Sequence, residues 1–225
     1  MQNEGVEIMA KVILFQGDSI TDCGRVRTDI TSMGTGYPNM VKGNLGCERP
    51  GEFEYINKAA SGSNIVDVYS RVRSEIINLK PDYMSLLIGV NDVWHELAGR
   101  CNGVAADKYE KIYDMMISEI KAALPDIQII IMEPFVLEGS ATTATEAEPG
   151  RWDYFRTEVP LRAAAAKRIA EKYNLQYLPL QEKFDECCKI APADYWLIDG
   201  VHPTTMGHWV LMNEWMKCFR NEIMD

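Results

Sequence analysis

The 225 residues, 47% apolar and 25% charged, describe an ordinary globular protein, long enough to bury a core without disulfide or metal staples. Against 23 Lys and Arg stand 33 Asp and Glu, a formal charge of -10 that repels phosphate backbones and anionic membranes and argues against a nucleic-acid partner. The longest apolar runs, such as 127–132 with its single Gln, fall far short of the ~20 residues that span a bilayer.

The first ten residues carry Glu4 and Glu7 where a signal peptide would be basic, and the apolar run 12–15 is too short for a signal core. They are read as an extension to one domain covering 1–225, with a cytoplasmic location expected. The next segments alternate short β-branched runs with helical stretches, the pattern of a parallel sheet covered on both faces. Strands are predicted at 11–16, 53–57, 83–88, 127–133 and 176–180.

Helical spacing links them. Ile65, Val68, Tyr69, Val72 and Ile76 form one stripe, and Tyr109, Ile112, Tyr113, Met116, Ile120 and Leu124 a second. Asp107 with Glu110 predicts a capping pair at the start of that second helix, and Pro125 marks its end. Leu161, Ala165, Ile169 and Tyr173 predict a third helix. Trp209, Met212, Met216, Phe219 and Ile223 predict a fourth, capped by Thr204 or Thr205. The polar stretch 138–150, EGSATTATEAEPG, follows the fourth strand and so leaves the sheet at its carboxyl edge, as a mobile rim or lid or as a passive surface loop. Cysteines at 23, 47, 101, 187, 188 and 218 form no CxxC pair and suit free thiols. Oligomeric state leaves no signal in the sequence.

Four short segments stand where predicted elements give way to loops: Gly17-Asp18-Ser19-Ile20-Thr21, Ala59-Ala60-Ser61-Gly62-Ser63-Asn64, Gly89-Val90-Asn91-Asp92 and Asp199-Gly200-Val201-His202-Pro203-Thr204. Each alone is a turn or a helix cap. Together they hold the parts of a nucleophilic hydrolase. A serine hydroxyl needs a base, and histidine has the fitting pKa. The base needs an acceptor on its other nitrogen, and Asp199 lies one turn before His202. The oxyanion needs donors, which the N–H of Ser19, the N–H of Gly62 and the amide of Asn91 supply.

The four blocks, in this order and over residues 12–208, resemble the SGNH or GDSL-like hydrolase family. The resemblance implies a flavodoxin-like three-layer α/β/α sandwich of about five parallel strands. It further implies a triad of Ser19, His202 and Asp199, and an oxyanion hole of Ser19, Gly62 and Asn91. Ile20 stands where the family name has Leu, an exchange of similar apolar volume.

The expected activity is hydrolysis of a short-chain carboxylic ester through an acyl-enzyme, with an O-acetyl group on a carbohydrate as the leading substrate. A lysophospholipase or thioesterase of the same family is the alternative. Asp18, Trp94 and His95 are expected to contact the substrate. No cofactor and no metal is expected: His95 lacks the second histidine of an HExxH site, position 99 being Gly. A metal phosphoesterase built on Asp18, Asn91, Asp199, His202 and His208 is the competing enzyme class, and a binding module that lost turnover is the competing non-enzyme. His208 is expected to pack or cap within the last helix, and His95 to sit at the pocket rim.

Overall fold

Apolar runs such as 12–15 and 129–132 suit burial on both faces, and the strands that hold them are buried that way. In the computed structural model, which describes residues 10–97 and 99–222, the strands are β1 (Lys11–Gly17), β2 (Phe53–Asn57), β3 (Tyr83–Leu87), β4 (Gln128–Met132) and β5 (Gln176–Leu178). All pair in parallel, in the order β2-β1-β3-β4-β5. The expected extension over 1–10 lies outside the described residues except for Ala10.

Between the strands run α1 (Ser19–Asp22), α2 (Tyr37–Glu48), α3 (Ile65–Ser70), α4 (Val72–Glu75), α5 (Val90–Trp94), α6 (Ala106–Ala123), α7 (Arg151–Tyr173), α8 (Gln181–Cys187), α9 (Ala193–Trp196) and α10 (Thr205–Glu222). Successive strand residues point to opposite faces. Ile13 and Phe15 therefore join Val41 of α2 and Trp215 and Phe219 of α10 in one core. Leu14 joins Val68 of α3, Met116 of α6 and Ile169 of α7 in the other. In the first core Trp215 stacks on Phe219 at 4.7 Å, while Tyr37 meets Phe15 edge-on at 5.8 Å. Truncating Phe15 to Ala would remove about 3–5 kcal/mol. This is the three-layer α/β/α arrangement expected from the sequence.

The winding reverses between β1 and β3, so the chain leaves these neighbouring strands toward opposite faces. In open parallel sheets ligands bind in the crevice outside the carboxyl ends of the strands at such a reversal. Ser19 follows β1 and Asn91 follows β3.

Some local expectations are corrected. The stripe 65–76 is not one helix: α3 stops at Ser70 and α4 restarts at Val72. The Ser70 and Ser74 hydroxyls donate to the Asp67 and Arg71 carbonyls, offering this backbone an alternative to helical bonding. Ile65, Val68, Val72 and Ile76 are buried all the same. Asp107 and Glu110 do not form a capping pair: the helix is capped at Ala105, Asp107 pairs with Lys111, and Glu110 with Arg168. Leu161 and Trp209 lie on outer faces, 45% and 57% exposed, while Phe155, Val159, Leu211 and Trp215 take the inward positions. Ile223 lies outside the described residues. Thr204 is the cap of α10, its Oγ1 accepting the N–H of Gly207.

Candidate active site

β1 ends at a glycine for a steric reason. A Cβ on Gly17 would lie 2.3 Å from the Leu87 carbonyl oxygen of β3. The chain then turns into α1, where Asp18 Oδ1 accepts the N–H of Ile20 at 3.0 Å. Ser19 opens α1, so its own N–H has no intrahelical acceptor and is available to a ligand.

The segment 57–64 is docked directly on this turn. The N–H of Ala60 donates to the Gly17 carbonyl, and buried Asn57 donates to the carbonyls of Thr21 and Met33. The carboxylate of Asp22, one turn after Ser19, accepts both the N–H and the hydroxyl of Ser61, at 2.9 and 3.1 Å. Gly62 follows in the left-handed region at φ +81°, and open space surrounds the position its Cβ would take. Backbone conformation therefore requires glycine here. Asn64 begins α3 with a complete capping box to Asp67.

From the other side of the crevice, Asn91 of α5 donates through Nδ2 to the Ser63 carbonyl at 3.0 Å, which ties the third block to the second. The amide nitrogen carries a second hydrogen. Asp92 accepts the N–H of Ile65 at the start of α3, and burial pushes its carboxyl up to about 8.

The fourth block is a tight turn, closed by the bridge between Leu197 and Pro203 and by the Ile198 N–H on the His202 carbonyl. Asp199 Oδ1 accepts the N–H of Val201 and of His202 at 2.9 and 2.8 Å. Its Oδ2 meets His202 Nδ1 at 2.7 Å, and His202 Nε2 meets Ser19 Oγ at 2.8 Å. Burial raises the Asp199 carboxyl, but the bonds from His202 and Val201 outweigh it and bring it to about 2. An ionised Asp199 fixes the hydrogen on His202 Nδ1 and leaves Nε2 to accept from the serine. The His202 pKa is raised, first by that bond to Asp199 and then by the charges of Asp199 and Asp18, against the lowering effect of burial.

Ser19, Gly62, Asn91, Asp199 and His202 are thus brought to one crevice. Asp18 is not where it was expected. It is 1% exposed, its Oδ1 is held by Ile20, its Oδ2 has no partner, and burial pushes its carboxyl up to about 7. Its place is beneath the surface as a helix cap, not against substrate. Trp94 does border the site, its ring 5.9 Å from that of His202 and covered on another side by Arg151. His95 caps α5; burial and the nearby Arg100 lower its pKa. His208 packs between elements: Nδ1 accepts the N–H of Tyr37 and Nε2 lies 3.3 Å from Cys23 Sγ, while burial lowers it to about 4. Among the described residues no group of three or more His, Cys, Asp or Glu is arranged to hold a metal ion.

Sequence patterns missed Asp22 and Asn57, which join the first two blocks: Asp22 lies just past the first block, and Asn57 reads as the last residue of a strand. They also missed the seating of the 138–150 stretch, whose first residues bond to the Asp199 turn.

The GDSL-like lipase/acylhydrolase family model matches residues 15–210. This chain belongs to that family. An acetylxylan esterase of Geobacillus stearothermophilus is 32% identical over 91% of this chain and 92% of its own. Its crystal structure superposes with a TM-score of 0.79, covering 93% of this chain and 94% of the other. Structures of its catalytic mutants, one at a serine and one at an aspartate, match similarly. A protein described as a GDSL-like lipase from Parabacteroides merdae is 33% identical, with a TM-score of 0.83 and coverage of 93% and 96%. This GDSL-like hydrolase is accordingly a serine-dependent carboxylic ester hydrolase. Among its described residues no helix is long and apolar enough to cross a membrane.

Proposed function

We propose that this hydrolase removes short acyl groups, foremost acetyl esters on a carbohydrate, through an acyl-enzyme on Ser19. The observation that carries the mechanism is the unbroken line from Ser19 Oγ through His202 to Asp199, at 2.8 and 2.7 Å. His202 Nε2 takes the hydroxyl proton as Oγ attacks the ester carbonyl, and Asp199 stabilises the imidazolium that forms. The N–H groups of Ser19 and Gly62 and the amide of Asn91 receive the oxyanion. Collapse of the tetrahedral intermediate returns the proton to the departing sugar oxygen and leaves acetyl-Ser19. Water, activated by the same imidazole, then releases acetate.

The carbohydrate part rests on the acetylxylan esterase relative, supported by the flat ring of Trp94 beside His202, which can lie against a sugar. One domain over 1–225 accounts for a family match spanning most of the chain. A reducing, cytoplasmic setting suits the two exposed thiols, Cys47 and Cys101. The substrate test is acetate release from acetylated xylo-oligosaccharides, run beside p-nitrophenyl esters of increasing acyl length. The expected result is release from the sugar and a rate that falls beyond short acyl chains. Preference for long acyl chains with no acetate from the sugar would overturn the substrate assignment.

A further inference from the structure

The turn bearing Asp199 and His202 leans on a second turn about 60 residues earlier in the chain. The N–H of Leu137 donates to the Gly200 carbonyl, and the N–H of Ala141 to the Asp199 carbonyl, both at 2.9 Å. The two backbones touch so closely that only glycine fits on either side. A Cβ on Gly139 would lie 2.4 Å from Asp199 C, and one on Gly200 would lie 2.4 Å from the Leu137 oxygen. Gly200 is also at φ +94°, which favours glycine independently.

Inside this contact sits Thr142, fully buried. Its Oγ1 donates to the Leu137 carbonyl at 2.7 Å and accepts the N–H of Gly139 at 2.9 Å. It therefore ties together Leu137 and Gly139, two of the three residues, with Ala141, whose backbones meet the Asp199–Gly200 peptide. The far end of the stretch is tied in by Arg151, whose Nε donates to the Ala141 carbonyl at 2.7 Å while its guanidinium covers the Trp94 ring. Trp94 in turn lies beside His202.

We propose that the 137–142 turn is a fixed buttress rather than a lid, and that Thr142 is a positioning residue that holds the Asp199 carboxylate against His202 Nδ1. The proposal rests on the roles given above to Asp199 and His202. A small rotation of the 199–200 peptide would swing the carboxylate off the imidazole, and misplacement near 1 Å costs about 10²-fold in rate.

The test compares Thr142→Ala and Thr142→Val, which lack the hydroxyl, with Thr142→Ser, which keeps it. Hydrolysis of p-nitrophenyl acetate is followed across pH, and the His202 Nδ1–H proton is observed by NMR. Both hydroxyl-free variants are expected to lose about tenfold or more in kcat with KM within about twofold. Their acid limb should move down toward the ordinary imidazole value, and the Nδ1–H resonance should weaken or shift. Thr142→Ser should restore all three. Wild-type kcat, acid limb and resonance in a folded hydroxyl-free variant, with only Tm lowered, would overturn the proposal; if Thr142→Val does not fold, Thr142→Ala decides alone. The resonance is read without turnover. If Ser19→Ala were to retain activity, the serine mechanism would fall while the NMR comparison still judged the buttress.

Discussion

The turn after β1 and the turn before α10 each bring one aspartate close to the Ser19–His202 pair, and the two carboxyls end at opposite extremes. Asp199, partly solvated, collects three N–H donors and lies at about 2. Asp18, fully buried, receives the N–H of Ile20 on one oxygen while the other stays unpartnered, and it lies at about 7. The same side chain is a permanent anion in one turn and a group that changes charge near neutrality in the other. Burial disfavours the charge, and the count of donors decides whether that penalty is overcome. The histidines follow the same rule. His202, facing a carboxylate, is raised; His208, six residues on and facing a backbone N–H and a thiol, is lowered to about 4.

The largest break in this contrast is Asp199→Asn. It leaves the volume but removes the charge that fixes the His202 tautomer, and a loss of about 10⁴ in kcat is expected. Its pH profile sharpens the point. Turnover needs neutral His202, so a raised pKa delays activation and places the wild-type acid limb above the ordinary value of 6.5. Removing Asp199 should move the limb down. Steady-state rates on p-nitrophenyl acetate from pH 5 to 9 measure both, and a loss below tenfold would remove Asp199 from the mechanism.

Asn91→Ala comes next, with about 10²–10³ lost from kcat and little change in KM, if its second amide hydrogen meets the oxyanion. A rise in KM at constant kcat would instead assign Asn91 to ground-state binding.

Asp18→Asn tests the other turn and reads stability. The folded pKa of Asp18 lies above its unfolded value of 3.8, so the folded state holds the proton more tightly. Wild-type stability from this group is therefore present below about pH 4 and lost as pH rises toward about 7. The asparagine has no such dependence. Urea unfolding should show the variant gaining on wild type between pH 4 and 8 by roughly 1–4 kcal/mol. A pH-independent difference would mean Asp18 is ionised throughout.

Much of this was legible in the sequence, and the exceptions share a cause. The central strands were visible because both faces are buried and their apolar runs, such as 12–15 and 129–132, are unbroken. The four blocks were visible because each is set at a strand end or before a helix, where a parallel sheet gathers its chemistry. What escaped depends on partners distant in the chain. Asp18 reads as a polar residue beside a nucleophile, and only the packing beneath α1 shows it buried. Trp209 fits the apolar spacing of α10, yet Leu211 and Trp215 fill the core and leave it outside. The stretch 138–150 has the composition of a free loop. Its contact with Asp199 and Gly200 is made by backbone atoms, which composition does not report.

The central claim, that Ser19 is the nucleophile, is tested most directly by reaction with a fluorophosphonate followed by peptide mass mapping in wild type and Ser19→Ala. A single adduct on Ser19, absent from the variant together with ester turnover, is the predicted result. An adduct at another residue, or turnover retained by Ser19→Ala, would contradict it.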